Sequence, residues 1–210
     1  MQINLLKFYP QDILMSGNKL SIPPVDLKII ELVKPNMSSG PWIAGGSVIQ
    51  WYKGNPVEEH DIDVFFRDRE QYEHVKLRLL NDLDPENILD VNCELIFKST
   101  NAETFRYKKH TVQLIRARFY NSVTELLDKF DIIACKIATD GYSWFSNHHE
   151  TETHINKNIL DMEHIVPDSA LKRLFKYWVY GFQPTEELIC RIENMQNLNT
   201  DFSNTTDYDS

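Results

Sequence analysis

Residues 42–66 read WIAGGSVIQWYKGNPVEEHDIDVFF, and the alternation within this stretch decides the fold. Trp42 and Ile43 suggest a short strand, Gly45 and Gly46 a turn, and the residues after them a helix-like segment. A loop from Asn55 to His60 then delivers the chain into a second strand that opens with Asp61 and Asp63. A strand has a period of two, so the two aspartates share one face while Ile62 and Val64 point into a core. Carboxylates side by side on one strand repel each other unless a cation lies between them. Mg²⁺, or Mn²⁺ in its place, takes hard oxygen ligands from one or two carboxylates and completes its shell with water and substrate phosphates. Gly45 and Gly46 let the backbone approach a phosphate and expose N–H groups at the start of the next helix. Ser47 either adds a hydroxyl or N–H to that phosphate or serves as a plain helix cap. The stretch is read as a holder for a metal-bound nucleoside triphosphate.

Working outward, residues 1–24 read as an extended lead-in with one strand near residues 19–22. Val25, Ile29, Leu32 and Val33 then follow helical spacing up to Pro35. Beyond the aspartates, residues 69–83 have the pattern of an amphipathic helix. Three strand candidates follow at 91–98, 103–108 and 111–119, the last two joined as a hairpin through Lys109 and His110. Ser122 can cap a helix over residues 122–139, with Leu126, Phe130, Ile133 and Ile137 along one side. Residues 142–162 look irregular; their His148, His149 and His154 lack zinc-ligand spacing. Asp168 or Ser169 can cap a helix over 170–180, and a last helix is expected over 185–193. From Asn194 the chain is polar, acidic and aperiodic, and reads as an unstructured tail. This element order is α+β. The expected organisation is an α+β domain over 1–141, an irregular and helical appendage over 142–193, and the tail over 194–210.

The 210 residues carry a formal charge of -9, which argues against a surface devoted to nucleic acid. Arg106, Lys108, Lys109, His110, Arg116 and Arg118 make the hairpin the most basic region. It either draws a phosphate or nucleic-acid strand toward the acidic site or is an ordinary exposed hairpin. Cys93, Cys135 and Cys190 form no CxxC pair and read as buried reduced thiols. No apolar run reaches membrane-span length and the first residues lack a signal-peptide pattern, so the expectation is a soluble, cytoplasmic protein.

GGSVIQWYKG, a loop, then DID resembles the signature of the nucleotidyltransferase superfamily with the DNA polymerase β type of palm. It is most similar to the head of CCA-adding enzymes and bacterial poly(A) polymerases, whose pattern is close to GGxVRDxLLG, a loop, then DxD. Gly45, Gly46, Val48, Gly54, Asp61 and Asp63 fall on that pattern; Ile49 and Gln50 stand where the family has Arg-Asp. KFDIIACKIATDG resembles the family's RRDFTINALA segment, with Asp131 on the aspartate. DSALKRLFKYWVYGF resembles the neck helix, with Arg173 and Lys176 at the spacing of its first two arginines. The resemblance runs over residues 42–182. It implies a small mixed-sheet palm with flanking helices and a short C-terminal helical appendage. It implies Asp61 and Asp63 as catalytic metal ligands, and Gly45, Gly46, Ser47, Asp131, Arg173 and Lys176 around the nucleotide. The implied activity is metal-dependent transfer of a nucleoside monophosphate from an NTP to a hydroxyl of an RNA or tRNA end, a protein or a small molecule. Many members carry a third carboxylate on a later strand; here the plausible position holds Gln113, with Glu94 as a possible substitute. That substitution keeps open a catalytically inactive relative that binds a nucleotide or a partner protein.

Overall fold

The computed structural model describes residues 22, 24–57, 61–82 and 93–203. The strand expected near residues 19–22 lies almost wholly outside them. The described chain forms two compact units. The first runs through Lys129 and takes in Lys136–His149; the second comprises Phe130–Cys135 and the residues from Glu150 onward.

The first unit is built on a seven-stranded mixed sheet. Helix α1 (Pro24–Val33) is followed by β1 (Trp42–Ala44), α2 (Gly46–Tyr52), β2 (Ile62–Phe65) and α3 (Arg69–Leu80). Then come β3 (Cys93–Lys98), β4 (Ala102–Tyr107), β5 (His110–Ile115), the short α4 (Val123–Leu127), β6 (Ala138–Thr139) and β7 (Trp144–Phe145). The spatial order is β3-β4-β5-β2-β1-β6-β7. Strands β2 and β5 are parallel and the other pairs antiparallel. This is the α+β palm that the sequence pattern implied, with Asp61 and Asp63 at the sheet's central strand.

Period-two patterning makes the two faces unlike. Ile62 and Val64 on β2, Phe105 on β4, and Val112 and Leu114 on β5 are fully buried. They form a core face with Val75 and Leu79 of α3 and Ile29 of α1. The opposite face carries Asp63, Gln113 and Thr104 in one cross-strand row. A register shift between Leu95 and Phe97 bulges the edge strand β3. Gly141 (φ 90°) closes the turn before β7. A Cβ there would lie 2.4 Å from Ile30 Cγ2, so the turn admits no side chain.

The second unit holds a 3₁₀ turn (Ile133–Cys135), α5 (Thr151–Lys157), β8 (Ile159–Leu160), α6 (Pro167–Val179), β9 (Gln183–Pro184) and α7 (Glu186–Ser203). Strands β8 and β9 pair in parallel, and Ile132 bridges Met162.

Five expectations need correction. The continuous helix over 122–139 is instead α4, a turn, the 3₁₀ turn and strand β6, because a run of Ile, Ala and Cys satisfies strand and helix patterns alike. The supposedly irregular 142–162 contains β7, α5 and β8. Helix α6 begins earlier than expected, with Pro167 in its first turn and Val166 before it, so Asp168 and Ser169 lie inside the helix instead of capping it. The last helix continues beyond Glu193 to Ser203. Of the thiols, Cys93 and Cys135 are buried but Cys190 is exposed.

Candidate nucleotide and metal site

Strand β1 is buried along its whole length and ends at Gly45, whose φ of 84° is one a side chain would strain. The Gly45 N–H donates to Ile137 O (2.9 Å), and its carbonyl accepts from the N–H groups of Val48 and Ile49. The turn is thereby pinned to the segment entering β6. Gly46 and Ser47 open α2, where N–H groups have no intrahelical acceptor. Ser47 is completely buried and its Oγ has no hydrogen-bond partner. It makes no side-chain cap, because Gly45 holds the N-cap position.

A buried polar lock fixes α2 and the loop after it. Asp26 of α1, fully buried, accepts at Oδ2 from Trp51 Nε1 (2.7 Å) and from the Val57 N–H (3.2 Å). His110 Nδ1 lies 3.0 Å from Val57 O, and its Nε2 lies 3.4 Å from Asp26 Oδ1. Helices α1 and α2, the loop and the start of β5 are thus joined through two side chains. Only an acid within an apolar helix face hints at this lock in the sequence.

The register Ile43↔Val64 between antiparallel β1 and β2 sets the glycine turn beside the end where β2 begins. Asp61 and Asp63 enter there, both half-buried, separated by the buried Ile62. Gln113 of β5 pairs in register with Asp63, and its Nε2 donates to Asp61 Oδ2 (2.9 Å). The position expected to hold a third carboxylate therefore holds a neutral donor to the first. Glu94 is no substitute: it is exposed on edge strand β3 and paired with Arg106 (3.4 Å). Among the described residues no three His, Cys, Asp or Glu side chains gather as a metal group. Two carboxylates, with remaining positions open to water and phosphate oxygens, suit one hard divalent cation.

The basic hairpin is largely neutralised. Arg106 pairs with Glu94, Arg116 with Glu103 and Arg118 with Glu125, while His110 is buried in the lock. His148 and His149 stack on each other with ring centroids 5.0 Å apart.

In the second unit Asp131 is buried and bonded through Oδ2 to Arg173 Nη1, while its Oδ1 accepts from the Ile132 N–H (2.9 Å). Lys176 Nζ lies 5.9 Å from the Tyr180 ring centroid. Cys135 lies 2.8 Å from the Tyr177 hydroxyl, and burial pushes its thiol up to about 12. The structure thus brings together Asp61, Asp63 and Gln113 beside the Gly45–Ser47 turn in one unit, and Asp131 with Arg173 in the other.

Comparison with solved structures gives the same fold. A tRNA-processing enzyme in an apo form matches with a TM-score of 0.58 at 15% identity, over 86% of this chain and 49% of that one. A CCA-adding enzyme with CTP matches at 0.58 and 15%, over 89% and 46%. The Thermotoga maritima CCA-adding enzyme complexed with tRNA matches at 0.52 and 14%, over 79% and 40%. The chain spans about half the length or less of these structures. At such identities the likeness shows a fold shared with CCA-adding enzymes. No curated protein sequence matches significantly. Among the described residues no helix is long and apolar enough to cross a membrane. The family model for Gabija anti-defense 2 proteins matches residues 26–158, a span holding the whole glycine turn, both aspartates and Gln113, and the chain belongs to that family.

Proposed function

We propose that this chain binds a metal-bound nucleoside triphosphate where β2 begins and transfers its nucleoside monophosphate to a hydroxyl, releasing pyrophosphate. This would be the chemistry by which it opposes a Gabija defence. The observation that carries the reading is the side-by-side entry of Asp61 and Asp63 into the central strand, next to the pinned turn at Gly45. Asp61 and Asp63 are the proposed ligands of Mg²⁺ or Mn²⁺; such an ion, when bound, supplies positive charge to the triphosphate oxygens. The Gly46 and Ser47 N–H groups, with the Ser47 hydroxyl, are proposed to receive a phosphate. With both carboxylates and the turn held by the fold, the chain's contribution is positioning and charge neutralisation. The acceptor is an RNA or tRNA end, a protein or a small molecule.

The test is incorporation from α-labelled NTPs, each base in turn, with Mg²⁺ or Mn²⁺, into tRNA, total RNA and cell protein. An Asp61→Asn, Asp63→Asn double variant is run alongside. Label that requires the aspartates supports transfer and names the acceptor class. The second reading is a protein that binds the nucleotide without transferring it, favoured by the Gln113 amide on Asp61. A melting temperature raised by NTP and metal, with no label in any pool, would select it.

A further inference from the structure

We propose that the outer face of α6, in the second unit, docks an amphipathic helical segment of a partner protein that is apolar along its centre and acidic along one flank. Helix α6 presents two unlike sides. The inner side carries Ala170, Arg173 and Tyr177, at i, i+3 and i+7. Ala170 is buried, Arg173 is bonded to Asp131, and the Tyr177 ring centroid lies 5.8 Å from that of the buried Phe182. The outer side carries Leu171, Phe175, Trp178 and Val179, at i, i+4, i+7 and i+8, and their exposure runs from 41% at Leu171 to 79% at Val179. Helical geometry sets Lys172 and Lys176, both exposed, along one flank of this stripe.

An apolar stripe that continues over more than two turns at helical spacing is the complement of another helix's apolar stripe. The lysine row sets the charge of the occupant. Asp or Glu beside the partner's stripe meets Lys172 and Lys176, whereas Lys or Arg there is repelled. Other occupants fit this face less well. A second copy laid antiparallel on it would bring its own two lysines to the same side as the first pair. Four side chains also fall well short of the about 800 Å² per partner that a stable interface between globular chains takes. A chain with a formal charge of -9 is repelled by an anionic membrane. Stacking consecutive bases of a single strand is served by near-parallel rings, and the Phe175 and Trp178 planes are tilted by 56°.

The experiment titrates the full chain into fluorescein-labelled probes and reads anisotropy. One probe is a designed peptide of about three heptads with Leu at a and d and Glu at e and g. A second has Lys in place of every Glu, and a third is poly(U). Vesicles of phosphatidylserine and phosphatidylcholine are read by co-sedimentation, and self-association by analytical ultracentrifugation. The proteins are the native chain, a Phe175→Ser, Trp178→Ser variant and a Lys172→Glu, Lys176→Glu variant, each checked for a cooperative melt. We expect the native chain to bind the acidic peptide about 10-fold more tightly than the basic one. The serine variant should lose about 30-fold or more of that affinity, and the charge-reversed variant should prefer the basic peptide. Equal affinity for the two peptides, no binding of either, or an acidic-peptide affinity that either variant leaves unchanged would overturn the proposal. Vesicle binding, poly(U) binding or dimerisation that the serine variant abolishes would overturn it in favour of that other occupant.

Discussion

The two faces of the central sheet hold carboxylates in opposite circumstances, Glu103 of β4 on one and Asp61, where β2 begins, on the other. Glu103, on the core face, is almost fully buried and surrounded by the protein's own cations: Lys76 at 2.7 Å, Lys98 at 2.9 Å and Arg116 at 3.5 Å. Burial acts to raise its carboxyl, but Lys76, Lys98 and Tyr72 outweigh that and hold it at about 2. On the other face Asp61 is half-buried and takes a neutral amide from Gln113. A carboxylate already neutralised from within is part of the architecture. Asp61, beside a neutral donor, is the carboxylate proposed above to meet a cation that arrives from outside. Acidic residues on a sheet therefore divide by what the fold has placed around them, and residue type alone does not separate the two.

The contrast can be broken most sharply by removing the site carboxylates. Asp61→Asn with Asp63→Asn should lower metal-dependent NTP affinity roughly 100-fold or more, read by calorimetry. The melting temperature should hold or rise slightly as like charges disappear. Glu103→Gln should do the reverse. Loss of a buried ion-paired carboxylate costs about 3 kcal/mol, and the melting temperature should fall on the order of 10 °C, with NTP affinity in the folded protein unchanged.

Acid titration sharpens the same contrast. Because the folded Glu103 carboxyl sits below its ordinary 4.5, its stabilisation is complete above that value and is lost as pH falls toward about 2. Denaturant unfolding measured across this window should show a slope in the native chain that Glu103→Gln flattens. The smallest expected effect is on stability in Gln113→Leu, about 1 kcal/mol from one half-buried hydrogen bond, measured by the urea midpoint.

The glycine turn and the paired aspartates were legible because each depends on local rules: a positive φ at Gly45 and the two-residue period of a strand. Strands β4 and β5 were legible for the same reason, within a few residues at their ends. Glu103 was not, since Lys76 and Arg116 reach it from α3 and from beyond β5, a meeting that only the sheet's strand order creates. Asp131 and Arg173 were each singled out by resemblance, but their bond to each other is a tertiary fact. The segment after α4 misled because its apolar run satisfies more than one periodicity. Gln113 was visible as a missing charge; its role as a donor to Asp61 required the parallel register of β2 and β5.

Trp42 and Trp51, both sealed from solvent, stand on either side of the glycine turn, with their indole N–H groups bonded to Met37 O and Asp26 respectively. They make the turn optically self-reporting. Their emission should be blue and inaccessible to iodide. A ligand that tightens or tilts α2 would alter the contact between Trp51 and a buried carboxylate, changing quantum yield without any attached dye. Trp178, 52% exposed in the second unit, should emit to the red and quench readily. Trp144 is buried in the first unit as well, so native fluorescence can follow the first unit and the second as separate channels within one titration.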